Sequence, residues 1–123
     1  MMKLKVGNDI IETERIKKIY EKYADNFKNK VYTSKEIEYC ESKRANKFQS
    51  YAGRFAAKEA VFKAISQGLS NKYQINWKDI EILNDNLGRP YVNLNNINFV
   101  KEIDISISHV KDYAVATVIV AFK

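Results

Sequence analysis

The sequence predicts an α+β domain, with helices packed against one face of a mainly antiparallel sheet. Three observations carry this. A strand-like run, Leu4 to Ile11, opens the chain. The first half is then dominated by helical periodicity and ends in one long proline-free segment, Asn46 to Gln67. The second half holds four short runs rich in β-branched and aromatic residues, separated by turn sequences.

In the opening strand, alternation places Leu4, Val6 and Ile10 on one face and Lys5, Gly7 and Asp9 on the other. A helix is expected from Glu12 to Tyr23, where Ile16, Ile19, Tyr20 and Tyr23 fall at helical spacing and Arg15, Lys17, Lys18 and Lys22 take much of the rest. Thr33 with Glu36 has the form of a capping box and starts a short helix ending near Ser42. The long helix stops at Gly68. Strands are expected at Asp79 to Leu83, Tyr91 to Leu94, Ile103 to His109 and Tyr113 to Phe122, with NDNLGRP turning between the first two and HVKDY closing the last pair into a hairpin. No repeat, linker or boundary divides the chain, so residues 1–123 read as a single domain.

Composition narrows the function classes. Hydrophobic residues at 46% suffice for a core, yet no apolar run approaches the length of a bilayer span, so no membrane role is expected. The N-terminal MMKLKVGNDIIETERI lacks the apolar stretch of a secretory signal. Cys40 is the single cysteine, which excludes an internal disulfide and suits a reduced, cytoplasmic setting. A net charge of +6 favours anionic partners, but no run of five basic residues concentrates it.

Three polar residues stand where the pattern asks for apolar ones. On the long helix, Phe48, Ala52, Phe55 and Phe62 form one stripe, and Glu59 falls about 20° from Phe48, in the middle of it. A carboxylate there is costly without a cation or strong donors. An i,i+4 pair with Lys63 would return only a few tenths of a kcal/mol. Asp9 sits in the opening strand two residues after Gly7, which would let something approach the backbone; the plainer role is to cap the helix near Glu12. His109, the one histidine, ends the strand ISISH on the face of Ile103, Ile105 and Ile107. Two carboxylates are few for calcium and suit magnesium, which keeps several waters and takes further oxygens from phosphates. Read from the residues alone, the chain is a small basic domain with a candidate magnesium–phosphate site. An alternative from another class is a nucleic-acid-binding protein using the basic excess and the eight tyrosines; it leaves Asp9 and Glu59 without a purpose.

Four segments carry a resemblance. VGNDIIETERI, RFAAKEAVFKAI, LGRPYV and ISISHVKDYAVATVIV, in this order, resemble the motifs of the small bacterial holo-acyl-carrier-protein synthases of the 4′-phosphopantetheinyl transferase family. The resemblance covers essentially the whole chain and implies that family's α+β fold. It implies transfer of the phosphopantetheine arm of coenzyme A to a serine of acyl carrier protein, with magnesium, by a homotrimer whose sites lie between neighbouring protomers, and with no nucleic-acid partner. It implies Asp9 and Glu59 as metal ligands, catalysis by Asp9, Glu59 and Lys63, and a coenzyme A site lined or supported by Arg54, Lys58, Lys63, Gly68 and His109. Arg15 matches a basic position that meets the carrier. The sequence departs from the pattern at Asn8, where a hydrophobic residue is usual. The stretch Lys43 to Tyr51 aligns only with a gap, so the basic residue for the nucleotide phosphate is either Arg44 or Lys47. The connection from Leu94 to Glu102 is too short for a helix often found there.

Overall fold

A computed structural model describes residues 3–69 and 75–123. The chain runs β1 (Leu4–Glu12), α1 (Thr13–Tyr23), α2 (Asp25–Val31), α3 (Ser34–Ser42), α4 (Lys47–Ile65), β2 (Ile80–Asn84), β3 (Pro90–Leu94), β4 (Val100–His109) and β5 (Tyr113–Phe122). β5 is central in an antiparallel sheet of order β1-β5-β4, and β2-β3 form a separate hairpin. Register sets Asp9 opposite Ala116 and His109 opposite Ala114. The expected α+β class is what is found.

One contact spaces the sheet and its main helix. A Cβ added to Gly7 would lie 1.8 Å from the Ala60 carbonyl oxygen and 3.0 Å from the Ala64 amide nitrogen. The backbones of β1 and α4 therefore touch, and small residues line the rest of the seam. Ala56, Ala57, Ala60 and Ala64 are buried on the helix, as are Ala114, Ala116, Val118 and Val120 on β5. The approach anticipated at Gly7 is thus made by a helix. It also decides which face of β1 is inside: Gly7 and Ile11 are buried, while Leu4, Val6 and Ile10 lie outside. Gly53 brings the other end of α4 against β4, where a Cβ would stand 3.4 Å from Ile107 and 3.9 Å from the His109 ring.

The second anchor is polar. Thr33 and Glu36 form the expected capping box. Glu36 does more than cap: it is fully buried, and its carboxylate also pairs with Lys58 at 2.7 Å and accepts from the Ile82 amide at 2.9 Å. α3, α4 and β2 are fastened through this one group. The adjoining Glu81 accepts from the Thr33 hydroxyl at 2.6 Å and from Asn93 at 3.1 Å.

α2 lies outside the sequence expectation. Its seven polar-rich residues bury only Phe27 and Val31, too few to declare a period. Packing makes the helix: the Phe27 ring meets Tyr32 edge-on at 5.6 Å. The expected helix to Gln67 ends as α-helix at Ile65 and tightens into a 3₁₀ turn, Ser66–Gly68. No helix follows Leu94, in line with the short connection.

Gly7→Ala is expected to destabilise the protein by about 3 kcal/mol or to prevent folding, because backbone rather than a flexible side chain occupies the space. Urea denaturation checks this; a loss under ~1 kcal/mol would show that the seam can open.

Candidate functional site

Gly7 lets α4 close onto β1, and that closure brings Asp9 beside the helix. Strand alternation puts Asp9 on the inner face two residues after Gly7, while Glu59 and Lys63 stand one helical turn apart on α4. The Lys63 ammonium donates to Asp9 Oδ1 at 2.9 Å and to the Asn8 carbonyl at 3.0 Å. Lys63 is therefore the partner of Asp9, not of Glu59. Glu59 is half-buried. Partial burial, first, and the negative charge of Asp9 hold its carboxyl above the ordinary glutamate range, against the pull of Lys63 and Arg15. A half-buried carboxylate whose charged form is disfavoured by a second carboxylate beside it, with cations at the margin, forms a place where a further positive charge is stabilised.

The position of Glu59 differs from the stripe expected. α4 is enclosed on nearly all sides: its fully buried residues are Tyr51, Ala52, Ala56, Ala57, Lys58, Ala60, Val61, Ala64 and Ile65, whereas Phe48, Phe55 and Phe62 are only half-buried. Glu59 thus stands at the edge of the packed core. It opens on a cleft of about 230 Å³ shared with Lys58, Phe62, Ile75, Asn76, Trp77 and Ile80. Trp77 is held there by stacking on Phe55, with ring centroids 5.3 Å apart.

The resemblance implied that Lys58 lines or supports the coenzyme A site; Lys58 borders the cleft, with its side chain fully buried. It meets Glu36 at 2.7 Å, the Ile80 carbonyl at 2.7 Å and the Trp77 carbonyl at 3.0 Å. An ammonium has three protons, and these partners use them all. Burial pulls its pKa below the ordinary lysine value, with Glu36 opposing. Lys58 holds a wall of the cleft to α4.

Arg54 and His109 lie together in a second hollow of about 150 Å³ on the other flank of α4, with Gly53, Tyr39, Asn84 and Pro90. Arg54 is 5% exposed, stacks over Tyr39 at 3.8 Å, bonds Asn84 Oδ1, and leaves its Nε without a partner. Among the described residues no carboxylate is paired with it. A buried guanidinium with spare donors beside an imidazole suits an anion. Tyr39 and Asn84 escaped sequence reasoning, since nothing local distinguishes them from surface residues. Gly68 lines neither of these hollows; it borders another, with Leu69, Ile75 and Asn96, where a Cβ would meet the Phe99 ring at 3.0 Å. Lys47 is engaged by Tyr20 at 3.2 Å and Glu41 at 3.5 Å, whereas Arg44 is exposed with a positive φ of 53°.

The donors available fit magnesium. Among the described residues no group of three or more metal-binding side chains gathers, so no complete protein cage exists. Asp9 and Glu59 would supply two oxygens, and the rest would come from water and phosphate. No helix among the described residues is long and apolar enough to cross a membrane.

Residues 5–118 match the family described as the 4′-phosphopantetheinyl transferase superfamily. The chain is 46% identical to a holo-[acyl-carrier-protein] synthase of Ruminiclostridium cellulolyticum, covering 98% of this chain and 93% of that one. It is 50% identical to one of Thermodesulfovibrio yellowstonii, covering 94% and 96%. Among solved structures it superposes on a Bacillus anthracis holo-(acyl-carrier-protein) synthase in complex with CoA (3′,5′-ADP), with TM-score 0.83, 34% identity and full coverage of both chains. It also superposes on an ACPS–CoA complex of Chronobacterium ammoniagenes, with TM-score 0.84, 27% identity and 98% coverage of each.

The carboxylate pair has a thermodynamic signature. Without ligand, Glu59→Gln is expected to leave the melting temperature unchanged or to raise it, while Lys63→Met lowers it by leaving Asp9 and Glu59 uncompensated. The raised pKa fixes the sign with pH: protonated Glu59 favours the fold, and stability is lost as pH rises through the raised value, a slope that Glu59→Gln removes. Were Glu59 a structural partner of Lys63, both variants would lose stability alike. Matched thermal melts across pH decide.

Proposed function

The chain belongs to the 4′-phosphopantetheinyl transferase superfamily, and from that premise we propose that it transfers 4′-phosphopantetheine from coenzyme A to a serine of apo-acyl carrier protein, releasing adenosine 3′,5′-bisphosphate. The observation that carries this reading is the cluster of Asp9, Glu59 and Lys63 at the seam of β1 and α4. A transfer between phosphate esters needs a diphosphate held still and its charge balanced, and little else from the protein.

Asp9 and Glu59 would hold magnesium, which when bound to the diphosphate neutralises its charge and orients it. Lys63, already drawn toward anionic oxygen at Asp9, offers its ammonium to the bridging oxygen of the leaving bisphosphate. The serine oxygen forms its bond to the β-phosphorus as the bond to that bridging oxygen breaks in line. The serine proton passes to Glu59 or to solvent. Arg15, on α1 and within the field of Glu59, is positioned for an acidic carrier arriving at the same opening. This activity belongs to the cytoplasm, in keeping with one buried, unpaired cysteine whose thiol is raised to about 11 by burial.

Arg54 and His109 stand on the opposite flank of α4 from the carboxylates. We take them to receive the nucleotide end of a coenzyme A held by a neighbouring copy, in a homotrimer. Arg44 rather than Lys47 joins them, because the Lys47 ammonium is already occupied by Tyr20 and Glu41. The outer face of the sheet, which exposes Leu4, Val6, Ile10 and Ile119, supports an association that covers it.

Incubation with apo-acyl carrier protein, coenzyme A and magnesium should add the phosphopantetheine mass to the carrier, read by mass spectrometry. Asp9→Asn and Glu59→Gln should each lower turnover by at least about 100-fold, and chelator should do the same reversibly. Normal turnover by either variant would refute the assignment.

The shared site has its own test. Glu59→Gln and Arg54→Ala should each be inactive alone. Co-expressed one to one, they should recover about a quarter of wild-type activity, since each site then draws both halves intact with that chance. A mixture as inactive as its parents would place all the residues of a site in one chain.

A further inference from the structure

The helical side carries a polar network that the transfer proposed above leaves unused. Its centre is Glu41, near the end of α3. One carboxylate oxygen, Oε2, accepts from the Tyr51 hydroxyl at 2.6 Å and from the Tyr20 hydroxyl at 2.9 Å. Tyr51 is the fixed member: it is fully buried on α4, and its carbonyl accepts from the Tyr32 hydroxyl at 2.9 Å. Tyr20 is the member that needs fixing. It lies on the outer half of α1, whose buried residues, Thr13 and Ile16, both stand near the other end. There the Thr13 amide also donates to the Asp112 carbonyl at 2.8 Å. Beyond Ile16 the helix rests on half-buried Ile19 and Tyr20. The Tyr20 hydroxyl ties that half to α3 through Glu41, and to α4 through the Lys47 ammonium at 3.2 Å.

The other side of α1 is basic. Arg15, Lys18 and Lys22 are exposed at i, i+3 and i+7, which is one helical face. At about 100° per residue, Tyr20 stands roughly 140–160° from each of them. The network therefore grips α1 from behind its basic face. We propose that Tyr20 and Glu41 are positioning residues for carrier recognition: they hold the outer half of α1 so that Lys18 and Lys22 present their charge in line with Arg15 to an acidic partner. The inference rests on the reading above that an acidic carrier arrives at Arg15. Docking by charge depends on where the charges sit. A helix loose beyond Ile16 would spread Lys18 and Lys22 over many positions, and ordering them on contact would cost affinity. The network sets them in place beforehand. Its bonds run among Tyr20, Glu41, Lys47, Tyr51 and Tyr32 and include no residue of the two hollows, so it bears on the carrier and not on coenzyme A.

Tyr20→Phe removes the hydroxyl and keeps the ring. It is expected to speed hydrogen exchange in the last turn of α1 and to weaken binding of a fluorescently labelled apo-acyl carrier protein, read by anisotropy, about three- to tenfold. The KM for the carrier should rise by the same factor, with kcat and the KM for coenzyme A within about twofold of wild type. Glu41→Ala should match Tyr20→Phe. Glu41→Gln, whose amide oxygen can accept both hydroxyls, should restore carrier binding to within about twofold of wild type. In a background of Lys18→Ala with Lys22→Ala, Tyr20→Phe should cause little further loss, because the charges it positions are gone. Equal changes in both KM values, a full further loss in that background, or a Glu41→Gln protein as weak as Glu41→Ala would overturn the proposal. The two levels fail separately. Transfer with carrier binding indifferent to Tyr20→Phe would remove the positioning role alone; carrier binding that responds to Tyr20→Phe without any transfer would remove the reaction and leave that role.

Discussion

The packing of α4 on β1 at Gly7 sets the geometry on which the site depends. A helix and a strand ordinarily keep their backbones apart by the thickness of two side chains. Here the Ala60 carbonyl occupies the space of a missing Cβ, and the small residues of α4 and β5 continue the contact. The consequence is chemical as well as mechanical. With α4 drawn in, an aspartate two residues along the strand and a glutamate on the helix come within one another's field, and the lysine one turn on reaches the aspartate. A bulkier seam would move the two carboxylates apart and leave each as an ordinary surface acid.

Such a tight seam fixes one side of α4, and the buried Glu36–Lys58 pair fixes another. A buried pair contributes little net stability, because desolvating both charges costs about as much as their attraction returns. Its effect is to select one arrangement. Every proton of the Lys58 ammonium and both oxygens of Glu36 have partners, drawn from α3, α4, β2 and the turn before it. Removing one partner would leave the other buried and unpaired, at about 3–5 kcal/mol. The wall carrying Trp77 is consequently held relative to the residue next to Lys58 in sequence, which is Glu59.

Charge is sorted across the helix. One flank carries two carboxylates with Lys63 and Arg15 at the margin; the other carries a buried guanidinium and the single histidine. The first suits a cation and, in the proposed function, a diphosphate held through it. The second attracts an anion directly. Under the proposed reading, a ligand with a diphosphate in its middle and another phosphate at one end would use both, the second supplied by a neighbouring copy because a packed helix separates the two hollows.

Local pattern reached a definite depth in this chain. The long helix, the last hairpin and the capping box at Thr33 were legible, because each depends on residues close in sequence; Glu59 stood out as a polar residue in an apolar period, although the stripe it interrupts proved to be the half-buried edge of α4. The inward side of β1 was not legible: Leu4, Val6 and Ile10 are the more apolar set, yet they face outward, because a glycine on the opposite side admits a helix. Nor was the role of Lys58, whose partner Glu36 is 22 residues away and looked like a helix cap alone. α2 was invisible for want of apolar residues, and it exists through packing on Tyr32. By itself the sequence determined the kinds of elements, their order, the family and the ionisable groups available for chemistry. Only the tertiary structure decided which of those groups meet: Lys63 with Asp9, Lys58 with Glu36 and, among the described residues, Arg54 with no carboxylate. Those pairings follow from where backbones can approach and where charge can be buried, and both are properties of residues far apart in the chain.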